Sequence, residues 1–236
     1  MREVFCKGDA ATALTAPLPV ESYVMAANVK AFPCLATGQS VVAAGIEMHR
    51  RLRGAVDRLT GLTLIIPDTP GLRRQKDDPG RIKPASRGAA DHSFNFLTAV
   101  SLIDGEFGLA QFDGERWNDP KVCALMARLE IINDSSWNRR APDSYPCSFA
   151  VRTEDGREEV VEVPYPPGFS RSRLEAETVM KKFNTLTARH LAQRARDRIT
   201  EAAMALDESA SCAELMAAVA TESAVGSGRS RSPSSS

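Results

Sequence analysis

Apolar and polar positions along the chain predict short strands alternating with amphipathic helices. Residues 20–29 are rich in β-branched and aromatic side chains, which predicts a strand that Phe32-Pro33-Cys34 ends. Apolar residues then recur every three or four positions over residues 37–59, which predicts a helix. These positions are Val41, Gly45, Met48, Leu52, Val56 and Leu59. The intervening polar side chains, including His49, are expected on the exposed face.

The middle of the chain predicts a short buried strand at residues 62–66 and a long polar loop at 67–84. A helix is expected to start with Asp91-His92-Ser93 and to run to about Ile103. Asp119-Pro120 has the form of an N-cap followed by proline in the first turn, which predicts another helix to about Leu129.

The last third of the chain changes character. Residues 148–153 and 158–163 predict two strands joined by a turn at 154–156. Residues 174–206 show one long helical pattern, and 212–220 a shorter one. The tail from Ser223 is mainly Ser, Gly and Arg, a composition typical of disorder. The sequence therefore predicts an α+β fold, with helical segments outside the mixed unit.

Composition narrows the classes of function. The chain is 43% hydrophobic and 25% charged with a formal net charge of zero, which favours neither nucleic acid nor a membrane surface as partner. Five scattered cysteines and three distant histidines match no disulfide framework or zinc motif. With no recognisable signal peptide, these features predict a cytoplasmic, metal-free protein.

Two short motifs carry a resemblance. Lys30-Ala31-Phe32-Pro33-Cys34 is followed by Gln39, and Lys83-Pro84-Ala85-Ser86-Arg87 leads into Ala90-Asp91-His92-Ser93 and Leu102-Ile103-Asp104-Gly105. In this order and spacing, residues 2–221 resemble the second half of the MmgE/PrpD family of 2-methylcitrate dehydratases and cis-aconitate decarboxylases.

The resemblance implies a domain organisation. Residues 1–19 would end an all-helical domain, 20–165 would form an α+β lid domain, and 166–222 would be helices that return to the helical domain, ahead of a tail at 223–236. Since most of that helical domain is absent from this sequence, we expect the chain to need a separate helical-domain chain or a homodimer partner. The isolated chain is expected to be inactive.

The resemblance also implies a chemistry. Family members are cofactor-independent lyases of small di- and tricarboxylic acids, including acids of propionate metabolism. Such reactions require a base that removes a proton from carbon, an acid that protonates the leaving group, and cations that hold carboxylates. Dehydration, decarboxylation, isomerisation and epimerisation all remain open.

Four residues are candidates for that chemistry, each with a structural alternative. Lys30 is expected either to bind a substrate carboxylate or to be an ordinary surface lysine, and Gln39 either to bind a substrate oxygen or to be a polar residue of the first helical turns. Arg87 is expected to bind an anion or to form a structural ion pair.

His92 is expected to act as acid or base, or to pack at a domain junction. We expect no simple dyad with Asp91, because adjacent residues of a helix do not share a face. Asp91 or Ser93 is instead expected to cap the helix, and Cys34 to be a packing residue rather than a nucleophile.

Two further functions compete with the enzymatic one. A non-catalytic family member could bind another protein through the apolar stripe of its C-terminal helix, which runs from Val179 to Leu206. Nucleic-acid binding through the arginine-rich segments is disfavoured by the neutral net charge.

Overall fold

The computed structural model describes residues 27–140, 144–169, 172–209 and 211–223. The chain separates into two compact units, residues 1–174 and 175–236. The predictions for residues 1–19, for most of the strand at 20–29 and for the tail lie outside the described residues. Residues 27–29, which are described, belong to no helix or strand.

The first unit is built on a four-stranded mixed sheet. Its strands are β1 (Leu59–Pro67), β2 (Leu129–Asp134), β3 (Cys147–Thr153) and β4 (Glu158–Val163), in the order β2-β1-β3-β4. The central strand β1 is parallel to β2 and antiparallel to β3, so that Leu64 lies opposite both Ile131 and Phe149. The β3–β4 hairpin was predicted, whereas β2 was not, and the α+β fold class is confirmed.

Two helices supply much of the remaining core. Helix α1 spans Gln39–Leu52 and contacts β3, β4 and a second helix, which we number α5. Helix α5 spans Phe94–Asp104, and its residues 94–102 are all buried. A Cβ added at Gly45 would lie 1.9 Å from the Ser101 hydroxyl oxygen, so a glycine is needed where α1 crosses α5. Phe96, Leu64 and Phe149 are fully buried beside them.

The prediction that α1 would continue to residue 59 was wrong. The helix ends at Leu52, and Arg53 and Gly54 then adopt left-handed backbone angles, with φ of 51° and 75°. The Arg53 and Gly54 amides bond the carbonyls of Arg50 and His49, which closes the last turn. A short 3-10 turn at Val56–Arg58 then leads into β1, so Val56 and Leu59 do not extend the apolar face of α1.

The polar segment at 67–84, predicted to be a loop, contains helices. Helices α2 (Pro70–Asp77), α3 (Pro79–Ile82) and α4 (Arg87–Ala90) follow one another between β1 and α5. Thr69 and Asp78 cap the first two of them through their side chains, and a proline occupies the first turn of each. Proline is tolerated there because the first helical amides have no acceptor within the helix. The loop was predicted from the polar, proline- and glycine-rich composition of the segment, which does not register the N-caps at Thr69 and Asp78.

Two residues near the ends of α1 and α5 pack together. His49, expected to be exposed, is half-buried, and its Nδ1 lies 2.9 Å from the carbonyl oxygen of Leu102. Gly105 ends α5 with φ +68°, and a Cβ there would lie 2.5 Å from Cδ2 of His49. The His49 ring thus satisfies a carbonyl in the last turn of α5 and occupies the space beside Gly105.

After α5, the chain forms a kinked 3-10 segment at Leu109–Asn118 and helix α6 (Pro120–Arg128). The Asp119 carboxylate accepts from the amides of Lys121 and Val122, which confirms the predicted N-cap. Helix α6 ends at Arg128, where the backbone becomes extended and continues directly as β2. Another 3-10 segment, Ser135–Arg140, follows β2.

The second unit contains three helices, α7 (Ala176–Thr187), α8 (Gln193–Met204) and α9 (Ala213–Ser223). The single helix predicted over 174–206 is therefore divided at residues 188–192. Ala192 is extended, with ψ 155°. The Arg196 guanidinium stabilises the break, because it donates to the Leu191 carbonyl and to the side chain of Asn184, both at 3.0 Å.

Two further features concern the surface of the molecule. No helix within the described ranges is long and apolar enough to cross a bilayer. In the first unit, Arg51 of α1 donates from Nη1 to the carbonyl oxygen of Val160 at 2.9 Å, on the edge strand β4.

Candidate functional site

The segment around Lys30 forms a tight turn. The amide of Cys34 donates to the carbonyl of Phe32 at 2.9 Å, and Nζ of Lys30 donates to the carbonyl of Cys34 at 3.1 Å. Lys30 itself is exposed. Its ammonium group is therefore held over the turn while remaining accessible from outside the unit.

Gln39 holds this turn from within. Its side chain is fully buried; Oε1 accepts from the Phe32 amide at 3.0 Å, and Nε2 donates to the Phe32 carbonyl at 3.0 Å. Nε2 also lies 3.1 Å from the Cys34 sulfur. Because both ends of the amide are bonded to the turn, Gln39 lies behind Lys30 and shapes its backbone. The structure thus gives Gln39 a positioning role.

The Cys34 thiol is buried beneath the same turn. It is 4% exposed, and burial raises its pKa from 9.0 to about 12, an effect that the nearby charge of Lys30 opposes and that of Asp91 reinforces. Since the thiolate is the nucleophile, a thiol with so high a pKa is unreactive at neutral pH. The observation agrees with the prediction that Cys34 is a packing residue.

Asp91 and His92 lie in a turn between α4 and α5. Asp91 follows the last residue of α4, and the hydroxyl of Ser93 caps α5 by accepting from the Phe96 amide at 3.1 Å. The prediction that Asp91 or Ser93 caps this helix is confirmed for Ser93, but the helix begins at Phe94 rather than at Asp91. The expectation that Asp91 and His92 could not pair was consequently wrong, because it assumed helical geometry for both.

The side chains of these two residues are hydrogen-bonded. Nδ1 of His92 contacts Oδ1 of Asp91, and the two side chains are 44% and 32% exposed. An ionised carboxylate only accepts hydrogen bonds, so Nδ1 carries the proton, which leaves the lone pair of a neutral ring on Nε2. Nε2 makes no hydrogen bond to any residue that the structure describes. The pair has the arrangement required of a proton acceptor oriented by a carboxylate.

The Lys30 turn and the Asp91–His92 turn meet directly. The amide of Leu35 donates to the carbonyl of Asp91 at 3.2 Å. A second connection passes through Gln75 of α2, whose side chain is hydrogen-bonded to the His92 carbonyl and to the Thr37 hydroxyl. Gln75 was not among the residues predicted for the site. The sequence did hold a signal for it: Thr69-Pro70 predicts a helix start, and Leu72 and Gln75 then share its buried face.

Arg87 lies at the start of α4, one helical turn before Asp91. Its guanidinium carbon is 5.2 Å from the centre of the Phe112 ring, a cation–π distance. Among the described residues, the Arg87 side chain makes no hydrogen bond to Lys30, Gln39 or His92. The structure therefore brings together Lys30, Gln39, Asp91 and His92. Arg87 is close to Asp91 in sequence, but its side chain lies on the Phe112 ring.

The site is a cationic and basic surface rather than an enclosed cavity. Lys30 and the His92 ring are accessible, while Gln39 and Cys34 form the buried layer behind them. In the described part of the chain, no group of three or more His, Cys, Asp and Glu side chains is placed to hold a metal ion. Such a surface can bind a carboxylate and exchange a proton, but it excludes water only when another surface covers it.

This chain resembles known proteins over much of its length. The profile of the MmgE/PrpD C-terminal domain matches residues 32–208. The chain belongs to the MmgE/PrpD family. Within it, 2-methylcitrate dehydratase of Cupriavidus necator is 28% identical over 201 residues, which are 79% of this chain and 40% of that protein. The 2-methylcitrate dehydratase of Escherichia coli K12 is 26% identical over 197 residues, with the same coverage of each chain.

The family likeness extends to another activity. Cis-aconitate decarboxylase of Mus musculus is 24% identical over 153 residues, which are 63% of this chain and 30% of that protein. The chain thus spans about two fifths of the length of the 2-methylcitrate dehydratases it matches. Gln39, Arg87 and His92 lie inside the span that matches the MmgE/PrpD domain, and Lys30 lies just before it.

Proposed function

We propose that this chain is the C-terminal half of a cofactor-independent lyase of the 2-methylcitrate dehydratase type, acting on small di- or tricarboxylic acids. One observation carries the proposal: in a chain of the MmgE/PrpD family, an accessible lysine and a carboxylate-oriented histidine lie on two turns that are hydrogen-bonded to each other. We further propose a cytoplasmic setting in propionate metabolism.

His92 is the proposed proton-transfer group. In its neutral form, Nε2 can take a proton from the carbon next to a substrate carboxylate, or return one to a leaving hydroxyl, which then departs as water. Asp91 stabilises the imidazolium that results and keeps the ring in one orientation. Lys30 would bind a substrate carboxylate, and Arg87 a second one if its side chain leaves the Phe112 ring.

The proposed partner is a helical-domain chain or a second copy of this chain. Lys30 is exposed and the His92 side chain is partly accessible, so a substrate bound there needs another surface to enclose it and exclude water. In this proposal residues 20–165 are the lid module and residues 166–222 pack on the partner. The chain alone is expected to be inactive.

The test is reconstitution. Pull-down from the native source identifies any helical-domain partner, and the assembled complex is assayed with 2-methylcitrate and with cis-aconitate. We expect turnover by the complex, loss of turnover in His92→Gln, and weaker substrate binding in Lys30→Gln. Lys121→Gln is the matched control for Lys30→Gln, since Lys121 is exposed and lies elsewhere in the chain. Absence of both a helical partner and any turnover would overturn the proposal.

A non-catalytic interaction module is the second candidate. The C-terminal helices expose apolar side chains: Val179 and Leu186 on α7 are 40% and 42% exposed, and Met216 and Val219 on α9 are 62% and 43% exposed. Members of each pair are spaced so that they share a helix face. A chain that binds a protein partner through these faces but stays inactive in the complex would favour this candidate.

A further inference from the structure

We propose that Gln75 is a positioning residue that sets the orientation of His92 relative to the Lys30 turn. Gln75 lies on α2 and is 6% exposed. Its Nε2 donates to the backbone carbonyl of His92 at 3.1 Å, and its Oε1 accepts from the hydroxyl of Thr37 at 2.9 Å. The inference rests on the proposed function, in which His92 transfers the proton.

The hydrogen-bonding groups of His92 and Thr37 determine the orientation of the Gln75 side-chain amide between them. A backbone carbonyl only accepts, so the NH₂ group of Gln75 must face His92. The Gln75 carbonyl then faces Thr37, whose hydroxyl must donate. Because a buried polar group without a partner costs free energy, neither end of the amide can be lost cheaply. The bridge therefore has one hydrogen-bonding pattern and one geometry.

The bridge adds a second link between the two turns. The first is the bond from the Leu35 amide to the Asp91 carbonyl, and the second runs from Thr37 through Gln75 to His92. With one hydrogen bond, the Asp91–His92 turn could rotate about that bond. Two hydrogen bonds, to the carbonyls of the consecutive residues Asp91 and His92, restrain both the position and the rotation of the turn. Asp91 fixes the His92 ring, and Gln75 fixes the backbone that carries the ring.

Neither Gln75 nor Thr37 needs to touch the substrate for this role. Thr37 belongs to the 3-10 turn Ala36–Gly38, which leads directly into α1 at Gln39. The same short stretch therefore shapes the Lys30 turn through Gln39 and restrains His92 through Thr37 and Gln75. Helix α2 is accordingly more than a connection between β1 and α3, because it carries the side chain that joins the two turns.

The test reads the tautomer of His92 directly. The chain has three histidines, so ¹⁵N spectra of histidine-labelled protein, recorded at a pH where the rings are neutral, resolve each ring. In the unmodified chain, we expect His92 to carry its proton on Nδ1. In Gln75→Met and in Thr37→Val, we expect a mixture of tautomers, seen as opposite movements of the two ring nitrogen shifts of His92, with those of His190 unchanged.

Two control variants separate positioning from general loosening. Thr37→Ser keeps the hydroxyl and should retain the His92 signals. Gln111→Met makes the same change at an equally buried amide, bonded instead to Asp104, Glu106 and the Gly108 amide, and should leave His92 unaffected. Unchanged His92 signals in a folded Gln75→Met variant would overturn the inference.

This measurement needs neither substrate nor partner, so its result is independent of turnover. If His92→Gln leaves the reconstituted activity intact while Gln75→Met changes the tautomer, the proposed function fails and the positioning relationship stands. The converse result, loss of activity in His92→Gln with unchanged signals in Gln75→Met, removes Gln75 from the mechanism and retains His92.

Discussion

Asp91 and His92 are adjacent in the chain and their side chains are hydrogen-bonded, because both lie in the turn between α4 and α5 rather than within a helix. Within a regular helix, consecutive side chains diverge and such a contact does not form. The turn is therefore what converts an acidic and a basic residue into a pair. Several properties of the site depend on this local geometry.

The Asp91 carboxylate is expected to matter through the His92 ring. Replacing Asp91 with Asn removes the charge and offers an NH₂ group to Nδ1, which favours the tautomer with its proton on Nε2. In the reconstituted complex we expect kcat to fall by about 10²-fold or more with little change in KM, a size typical of lost acid–base catalysis. Steady-state kinetics checks this, and equal effects in Asp119→Asn, which removes the charge of a carboxylate at the start of α6 and keeps a cap there, would contradict it.

Gln39 is expected to be required for stability of the first unit. Gln39→Leu removes the acceptor of the part-buried Phe32 amide and one of the two donors to the Phe32 carbonyl, and it takes a hydrogen-bonding amide out of the core. We expect a loss of about 2–3 kcal/mol in the free energy of unfolding. Urea unfolding followed by tryptophan fluorescence measures it, since Trp117 and Trp137 both lie in this unit. Lys121→Leu, at an exposed position of the same unit, should change the free energy of unfolding little.

Gly105 and Gly114 form a matched pair for separating backbone strain from steric contact. Both have left-handed φ angles, +68° and +62°, but a Cβ at Gly105 would meet the His49 ring, whereas one at Gly114 has nothing within 4 Å. Gly114→Ala should cost about 1 kcal/mol through its backbone angle alone. Gly105→Ala should cost at least about 1 kcal/mol more, because the ring must move.

The contact with His49 can be tested within the same series. Removing the ring in a His49→Ala background should bring the cost of Gly105→Ala close to that of Gly114→Ala. Thermal or urea unfolding of the four variants measures the difference. Equal costs at the two glycines in the presence of His49 would show that the ring moves away freely.

Stability is expected to fall at alkaline pH through Cys34. Burial raises the pKa of this thiol from 9.0 to about 12, so above pH 9 the unfolded chain releases a proton that the folded chain retains. Stability from this group is therefore complete below pH 9 and is lost as the pH rises toward 12, at about 1.4 kcal/mol per pH unit. Burial raises the pKa of Cys147 as well, with the same sign.

The contribution of Cys34 to the pH dependence of stability is isolated by comparing the unmodified protein with the Cys34→Ala variant. The difference in unfolding free energy between the unmodified chain and Cys34→Ala should shrink between pH 9 and pH 12. Cys212→Ala is the matched control for the substitution itself, because Cys212 is exposed. A pH-independent difference for Cys34→Ala would contradict the assignment.

Sequence patterns predicted those elements whose signals are local. The Asp119-Pro120 helix start and the β3–β4 hairpin each depend on a cap or a turn within a few residues, and both are present. Strand β2 was missed because Leu129–Asp134 follows α6 without a turn. Its formation depends on parallel pairing with β1, some 70 residues earlier in the chain, which no local pattern records.

In the site, too, local features were predicted and long-range contacts were not. Lys30 and His92 were identified as candidates from short motifs, but their proximity depends on bonds between Leu35 and Asp91 and between Thr37, Gln75 and His92. Such bonds join segments that are distant in sequence, so the residues alone did not predict them. The Asp91–His92 contact was missed for a different reason, since a shift of three residues in the start of α5 separates a helical placement from a turn.

The hydrogen bond from Arg51 to the Val160 carbonyl has a consequence for association between molecules. An exposed edge strand presents free carbonyls and amides to which a strand of another molecule can add. On β4, the Arg51 guanidinium occupies one of these carbonyls and sets a bulky cation in the path of an incoming strand. We therefore expect addition of another strand at this border to be disfavoured at Val160.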